Sequence, residues 1–173
     1  FLEVREWDYV VGSIHFVGDG ALDHEDYDIW GMGVGVDKVW TTYFTWLGEM
    51  ARTGLFDILA HPDLVKHWGR QRPMPEGDLR RFYEPAVQAF ADSGAVVEIS
   101  TAGLRKPVGE IYPAPEFLHM CVDAGLKFAL SSDAHEPAHV GYGYADTVEL
   151  MREFGISEIC VFEGRRRRME PLG

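Results

Sequence analysis

The first residues whose types and spacing could support chemistry are Asp133 and His135, which follow the apolar segment 127–132. This segment predicts a buried strand. A strand places residues i and i+2 on one face, so the two side chains are expected to project together from its carboxyl end. A carboxylate beside an imidazole suits zinc, iron or manganese. An isolated Asp-x-His is more often structural, with the aspartate capping a helix and the histidine capping a loop.

Three other predicted strands bring similar groups to the same edge of the expected sheet. The residues and their strands are His15 in 7–16, His61 in 55–61 and Glu98 in 95–101. Either histidine alone is more often a hydrogen-bonded loop or core residue. The carboxylate inside an apolar strand needs a partner or a nearby cation. Because the carboxyl ends of parallel strands share one rim, these groups together favour a metal site.

A basic pair, Arg105 and Lys106, lies in the loop that follows Glu98. Beside a metal cluster the two groups would bind a phosphate, the guanidinium bidentately and the ammonium as a point charge. The alternative is a solvated basic pair, which is the commoner case away from a site. The remaining histidines are less informative. His119 is interpreted as structural, and His139 could reach a substrate. His24 and His67 have no assigned role.

Four predicted helices alternate with these strands, and Asp37 is expected to cap the first of them. The helices are expected at about 38–52, 79–92, 114–124 and 144–154, and a fifth strand at 157–162. This alternation predicts a parallel sheet with helices packed outside it. An open doubly wound sheet and a (β/α) barrel both satisfy the order, and the polar strand ends favour the barrel. Since a full barrel takes about 250 residues, the 173 residues are interpreted as its later part.

Composition narrows the class of protein. A net charge of -12 argues against nucleic acid as the main partner. No apolar run approaches the roughly 20 residues that span a bilayer, so no membrane partner is expected. The four arginines from Arg165 to Arg168 are interpreted as a solvated tail. Cys121 and Cys160 lack metal-type spacing and are interpreted as buried, reduced thiols, which favours a cytoplasmic location.

Several motifs resemble those of the PHP (polymerase and histidinol phosphatase) family, and in particular its histidinol-phosphate phosphatases. The motifs are Gly-Ser-Ile-His-Phe at 12–16, Gly-Leu-Phe-Asp-Ile-Leu-Ala-His-Pro-Asp-Leu-Val-Lys at 54–66, Glu-Ile-Ser-Thr-Ala-Gly-Leu-Arg-Lys-Pro at 98–107, Glu-Ile-Tyr-Pro at 110–113 and Ser-Ser-Asp-Ala-His at 131–135. The resemblance covers about residues 7–162. It implies an α/β fold, a distorted TIM-like (β/α)7 barrel. Residues 1–173 would be one incomplete barrel domain without its N-terminal strands.

The resemblance also implies roles for individual residues in a cluster of up to three divalent ions, either zinc, manganese or iron. The implied metal ligands are His15, His61, Asp133 and His135. The first two would share one ion, and the last two would each hold another and act in catalysis. Arg105 and Lys106 would bind the substrate phosphate, and Glu98 would orient a ligand. The family's His-x-His and bridging glutamate do not occur in this sequence and are expected upstream of Phe1.

The activity implied is metal-dependent hydrolysis of L-histidinol phosphate, a small phosphate ester. One alternative is another phosphoesterase of the family, either a nucleotide phosphatase or an exonuclease-like enzyme. The acidic charge balance disfavours the exonuclease. The other alternative is a catalytically inactive binding module with the same fold. An upstream His-x-His would favour the enzyme over the inactive module, and the oligomeric state is left open.

Overall fold

A parallel sheet at the centre of the fold carries the predicted site. The computed structural model describes residues 2–173. The strands in this part of the chain are β1 (Val11–Gly12), β2 (Phe16–Val17), β3 (Gly20–Ala21), β4 (Ile58–Leu59), β5 (Val96–Ser100), β6 (Lys127–Ser131), β7 (Glu158–Glu163) and β8 (Arg166–Pro171). Four of them form a parallel sheet in the order β1-β4-β5-β6. The predicted parallel α/β architecture is therefore confirmed.

The two strands that precede the site histidines are shorter than predicted. The expected strands 7–16 and 55–61 reduce to β1 and β4, which have two residues each. After β1 the chain turns into the antiparallel hairpin β2–β3, so His15 lies in the connection between β1 and β2 and not within a long strand. A hydrogen bond closes the base of this hairpin, because the backbone amide of Leu22 donates to the carbonyl of His15 at 2.9 Å.

Four helices cover the sheet at almost the predicted positions. They are α1 (Val36–Arg52), α2 (Arg80–Ser93), α3 (Pro115–Asp123) and α4 (Tyr144–Glu153). Their apolar faces form an aromatic core in which Tyr83 stacks on Phe117 with ring centroids 4.6 Å apart. The predicted cap of α1 is wrong, because Gly35 occupies the cap position. Asp37 lies within the first turn and pairs with Arg81 at 3.3 Å.

The last predicted strand has a different partner from the one expected. Strand β7 pairs antiparallel with β8 in a separate two-stranded sheet, although it lies beside β6. The interpretation of the four arginines as a solvated tail is wrong in part. Arg165 forms the turn with a φ of 60° and binds Asp57, and the other three belong to β8. The basic run therefore helps to fold the C-terminal hairpin onto the sheet.

Within residues 2–173, strands β1 and β6 are the two edges of the hydrogen-bonded parallel sheet. The closed barrel stays a prediction.

The helices were also compared with the length and hydropathy of membrane-spanning segments. None of the helices between residues 2 and 173 combines the length and the apolar character that a bilayer crossing requires.

Candidate metal centre

A cavity of about 570 Å³ opens at the carboxyl ends of the parallel strands. Its acidic and basic lining residues are His15, Asp23, His61, His67, Glu98, Lys106, Asp133 and His135. The structure therefore brings all four predicted metal ligands to one cavity, together with Glu98 and one member of the basic pair. Arg105 does not line it.

His15 is held by a carboxylate that the sequence analysis did not single out. Its Nδ1 donates to Oδ2 of Asp23 at 2.9 Å. This hydrogen bond raises the pKa of His15 despite the opposing effect of burial. A carboxylate that engages one ring nitrogen fixes the tautomer and leaves the other nitrogen available to a ligand. Asp23 lies in the acidic segment after β3, where no spacing pattern distinguishes it from its neighbours.

His61 follows β4 in a constrained backbone conformation. Its φ is 29°, its amide donates to Oε2 of Glu98 at 2.8 Å, and its carbonyl accepts from the hydroxyl of Tyr43 at 3.4 Å. Burial lowers the pKa of His61 to about 4, so the ring is neutral near pH 7, as metal ligation requires. Its centroid lies 5.1 Å from that of His15. The two predicted ligands of one ion are therefore neighbours.

Glu98 lies beneath His61 within the buried strand β5. Burial raises the pKa of its carboxyl group to about 6, against the lowering effect of the His61 amide. Glu98 is predicted to orient a metal ligand. Its hydrogen bond with the amide of His61 is a contact through which it could orient that residue. That function stays a prediction.

Asp133 and His135 are neighbours for a reason other than the predicted one. Strand β6 ends at Ser131, so the two residues do not alternate along a strand. Asp133 has a φ of 45°, and its amide donates to Oγ of Ser131 at 2.9 Å. In this turn Nε2 of His135 lies 3.4 Å from Oδ1 of Asp133, and 83% of the His135 side chain is exposed.

Backbone strain is concentrated at the candidate ligands. Across residues 2–173, the non-glycine residues with positive φ are His61, Asp133 and Arg165. Such conformations cost about 1–3 kcal/mol each and persist where the surrounding structure holds them, often at functional sites. Two of the three are predicted metal ligands, and the third, Arg165, lies outside the cavity, so strain accompanies the candidate ligands without by itself assigning them a function.

The two residues of the basic pair have different surroundings. Lys106 is exposed and lines the cavity. Nη2 of Arg105 instead donates to the carbonyl oxygens of Ser132 at 2.7 Å and Asp133 at 3.3 Å. Its guanidinium also lies 5.2 Å from the centroid of the Tyr142 ring. Arg105 therefore braces the segment that carries Asp133, and its predicted contact with phosphate stays a prediction.

Of the four histidines outside the predicted ligand set, His67 lines the cavity. It is 6% exposed, and burial lowers its pKa. Its position depends on the fold of the long loop after β4, which the sequence does not specify. The other three lie outside the lining. His24 accepts from the amide of Asp26, His119 pairs with Asp123 within α3, and His139 pairs with Glu136.

The donor types fit a borderline divalent metal, since imidazole nitrogen and carboxylate oxygen are the usual ligands of zinc. Nδ1 of the buried His61 has no hydrogen-bond partner in the described chain. As placed here, no group of three or more His, Cys, Asp or Glu side chains from residues 2–173 is arranged to hold an ion. The residues of the described chain therefore fit a metal by donor type and by their shared cavity, but not by an arrangement of three ligands around one point.

Comparison with known proteins agrees with this class of protein, a parallel α/β fold with its polar site at the carboxyl ends of the strands. No family model matches the chain. "Probable histidinol-phosphatase" of Deinococcus radiodurans is 35% identical over 170 residues, which cover 98% of this chain. "Probable histidinol-phosphatase" of Schizosaccharomyces pombe is 23% identical over 171 residues, or 90% of this chain. The chain is thus similar over almost its whole length to proteins named histidinol-phosphatase, and the resemblance predicted from its motifs is confirmed.

Structural comparison gives the same assignment of fold. Histidinol phosphate phosphatase of Lactococcus lactis, solved in complex with zinc, L-histidinol and phosphate, aligns with a TM-score of 0.73 at 16% identity. The alignment covers 96% of this chain and 64% of that protein. The chain likewise spans 62% of the Deinococcus relative and 54% of the Schizosaccharomyces relative. It is therefore shorter than the proteins that it matches.

Proposed function

We propose that the protein hydrolyses L-histidinol phosphate to L-histidinol and phosphate in a metal-dependent reaction. The observation that carries this proposal is the convergence of His15, His61, Asp133 and His135 on one cavity. The chain that positions them is 35% identical to a curated "Probable histidinol-phosphatase". The zinc, L-histidinol and phosphate bound by the Lactococcus protein of similar fold support the same assignment.

In this proposal His15, His61, Asp133 and His135 hold the divalent ions, up to three in number and either zinc, manganese or iron. When bound, such ions supply an activated water and neutralise charge on the phosphoryl oxygens. We further propose that these residues belong to a distorted (β/α)7 barrel. The parallel order β1-β4-β5-β6, with polar residues at the strand ends, supports that architecture.

The protein's own residues would bind and orient the substrate. Lys106, at the edge of the cavity, would attract the phosphate group as a point charge. Asp23 would keep Nδ1 of His15 protonated, so that the opposite nitrogen points to the ligand. Arg105 would hold the carbonyl groups of Ser132 and Asp133, and through them the position of the Asp133 carboxylate. The leaving alkoxide needs a proton. His135, the exposed imidazole beside Asp133, would donate it as the alternative to holding an ion, because a metal-bound imidazole is not an acid near neutral pH.

The test is phosphate release by the purified protein with added zinc or manganese. L-Histidinol phosphate is compared with p-nitrophenyl phosphate and a nucleoside monophosphate. We expect a higher kcat/KM for L-histidinol phosphate, loss of turnover with a chelator, and recovery when metal is restored. Faster turnover of the nucleotide would move the function to another phosphoesterase of the family. A protein that binds metal but turns over none of these esters would be assigned as an inactive binding module.

A further inference from the structure

A buried ion-pair cluster lies beside the cavity and takes no part in the function proposed above. The side chains of Lys66 and Asp63 are 3% and 0% exposed, and they lie 3.1 Å apart between Nζ and Oδ2. Nζ of Lys66 also donates to Oε1 of Glu110 at 2.7 Å and to the carbonyl of Ile111 at 2.9 Å. Oδ2 of Asp63 accepts from the amide of Ala114 at 2.7 Å. We call Lys66, Asp63 and Glu110 the loop clamp.

The loop clamp joins two loops that both contribute residues to the lining of the candidate site. Asp63 and Lys66 lie two and five residues after His61, on the loop that follows β4. Glu110 lies four residues after Lys106, on the loop that follows β5. A backbone bond adds to the connection, because the amide of Val108 donates to the carbonyl of His67 at 3.0 Å. The separation between His61 and Lys106 therefore depends on the loop clamp and on this backbone hydrogen bond.

Stability alone is a poor explanation for such a cluster. Taking charges out of water costs free energy, and well-packed apolar residues often replace a buried ion pair without loss of stability. In this cluster Asp63 is fully buried, and its Oδ1 has no hydrogen-bond partner among residues 2–173. The directional bonds of Lys66 to two different segments are better suited to fixing a geometry.

We propose that Lys66 is a positioning residue that sets the distance between the metal ligand His61 and the phosphate-binding Lys106. The inference rests on the proposed function for the identity of these two groups. Lys66 does not line the cavity. It acts through the loops on either side, and a ligand bound between His61 and Lys106 needs both loops at the correct separation.

The test is Lys66→Met, which keeps the length of the side chain and removes its charge and its hydrogen bonds. We expect KM for L-histidinol phosphate to rise about tenfold or more, because misplacement by about 1 Å costs up to about a hundredfold. We expect the affinity for zinc, measured with a chelating indicator, to change by much less than the roughly tenfold to hundredfold that follows loss of a residue supporting a metal ligand. The reason is that His61 keeps its hydrogen bonds to Glu98 and Tyr43. Lys66→Arg keeps the charge and the hydrogen-bond donors, so its KM should be close to that of the wild type.

A second variant covers the case in which Lys66→Met does not fold. Glu110→Ala removes an acceptor that is 43% exposed, so the fold tolerates the change better. KM should rise in the same direction by a smaller factor. Phe90→Leu, within the core and remote from both loops, is the stability-matched control, and Lys38→Met on the surface of α1 controls for loss of a lysine. Lower stability with unchanged KM in the clamp variants, or an equal rise of KM in Phe90→Leu, would refute the proposal.

The two proposals can fail separately. If the wild-type protein releases no phosphate from any ester, the proposed function fails. The clamp is then tested by calorimetric binding of inorganic phosphate to the zinc-loaded protein. Weaker phosphate binding in Lys66→Met, with retained zinc affinity, supports the clamp. Unchanged phosphate binding refutes it.

Discussion

The two ends of the parallel sheet differ in how their polar side chains are paired. At the carboxyl ends, several buried polar atoms have no protein partner within residues 2–173, among them Nδ1 of His61, Nδ1 of His67 and the hydroxyl of Tyr112. At the amino ends, Arg165 binds both carboxylate oxygens of Asp57 at 2.9 and 3.1 Å. Since an unpaired buried polar group costs about 1–3 kcal/mol, the carboxyl end is arranged at the expense of stability, as expected for a site that binds a ligand.

Backbone strain alone does not distinguish the two ends. His61 and Asp133 have positive φ at the carboxyl end, and Arg165 has a φ of 60° at the amino end. The strained turn of Arg165 is stabilised by bonds from its side chain and from its amide, which donates to the carbonyl of Asp8 at 2.8 Å. A strained residue therefore indicates function only when unpaired polar groups surround it, as they do at His61.

The largest expected effect comes from Asp133→Asn at the carboxyl end. Asparagine tolerates the left-handed conformation that Asp133 adopts, so the substitution removes the charge with little backbone cost. We expect metal-dependent phosphatase activity to fall by at least about a hundredfold, the upper range for loss of a group that supports a metal ligand. Phosphate release and bound zinc are measured together. Asp92→Asn on the exposed surface of α2 is the matched control, and full activity in Asp133→Asn would refute its assignment as a ligand.

A smaller effect is expected at Glu98, which contacts the candidate ligand His61 through a hydrogen bond. Glu98→Ala removes the acceptor of the His61 amide, and the buried donor then lacks its partner. We expect zinc affinity to fall about tenfold to a hundredfold and the free energy of unfolding to fall by about 1–3 kcal/mol. Glu98→Gln keeps an acceptor oxygen and should retain most of the stability. Equal zinc affinity in Glu98→Ala and the wild type would show that Glu98 supports the fold alone.

The parallel sheet and the shared cavity of the four candidate ligands could be predicted from the sequence. Each candidate ligand follows an apolar segment, and the carboxyl ends of parallel strands meet at one edge. His61 and Asp133 are examples, although the conformation of neither was predicted. Asp23 and His67 were missed because they reach the cavity from loops. The position of a loop depends on long-range contacts, such as the bond between His67 and Val108, and periodicity gives no sign of such contacts.

The antiparallel C-terminal hairpin was missed for a related reason. A run of four arginines has the composition of a solvated tail, and nothing in its spacing indicates the partners of its members. The structure shows that Arg167 donates to the carbonyl of Gly94 at 3.0 Å and that Arg165 binds Asp57. Both partners lie more than 70 positions away in the sequence. The error therefore concerns the arginine run, three of whose members lie in β8, whereas the strand predicted at 157–162 is confirmed as β7.

The smallest effect, and the one that separates the two ends most clearly, is expected for Arg165→Met. The Arg165 side chain is 38% exposed and that of Asp57 is 13% exposed, so solvent weakens the pair. Asp57 also accepts from the amide of Val10 at 2.8 Å and keeps that partner. We expect a loss of about 1 kcal/mol, near the upper value for exposed ion pairs. For a chain of this size that corresponds to a fall in Tm of about 2–4 °C.

Zinc affinity and phosphatase kinetics should not change in Arg165→Met, because Arg165 lies at the opposite end of the sheet from the cavity. Arg166→Met, at an exposed position of the same hairpin, is the control and should leave Tm within about 1 °C, as surface substitutions usually do. If Arg165→Met weakened zinc binding, the two ends would be coupled. The amino end would then share in setting the geometry of the site, instead of contributing stability alone.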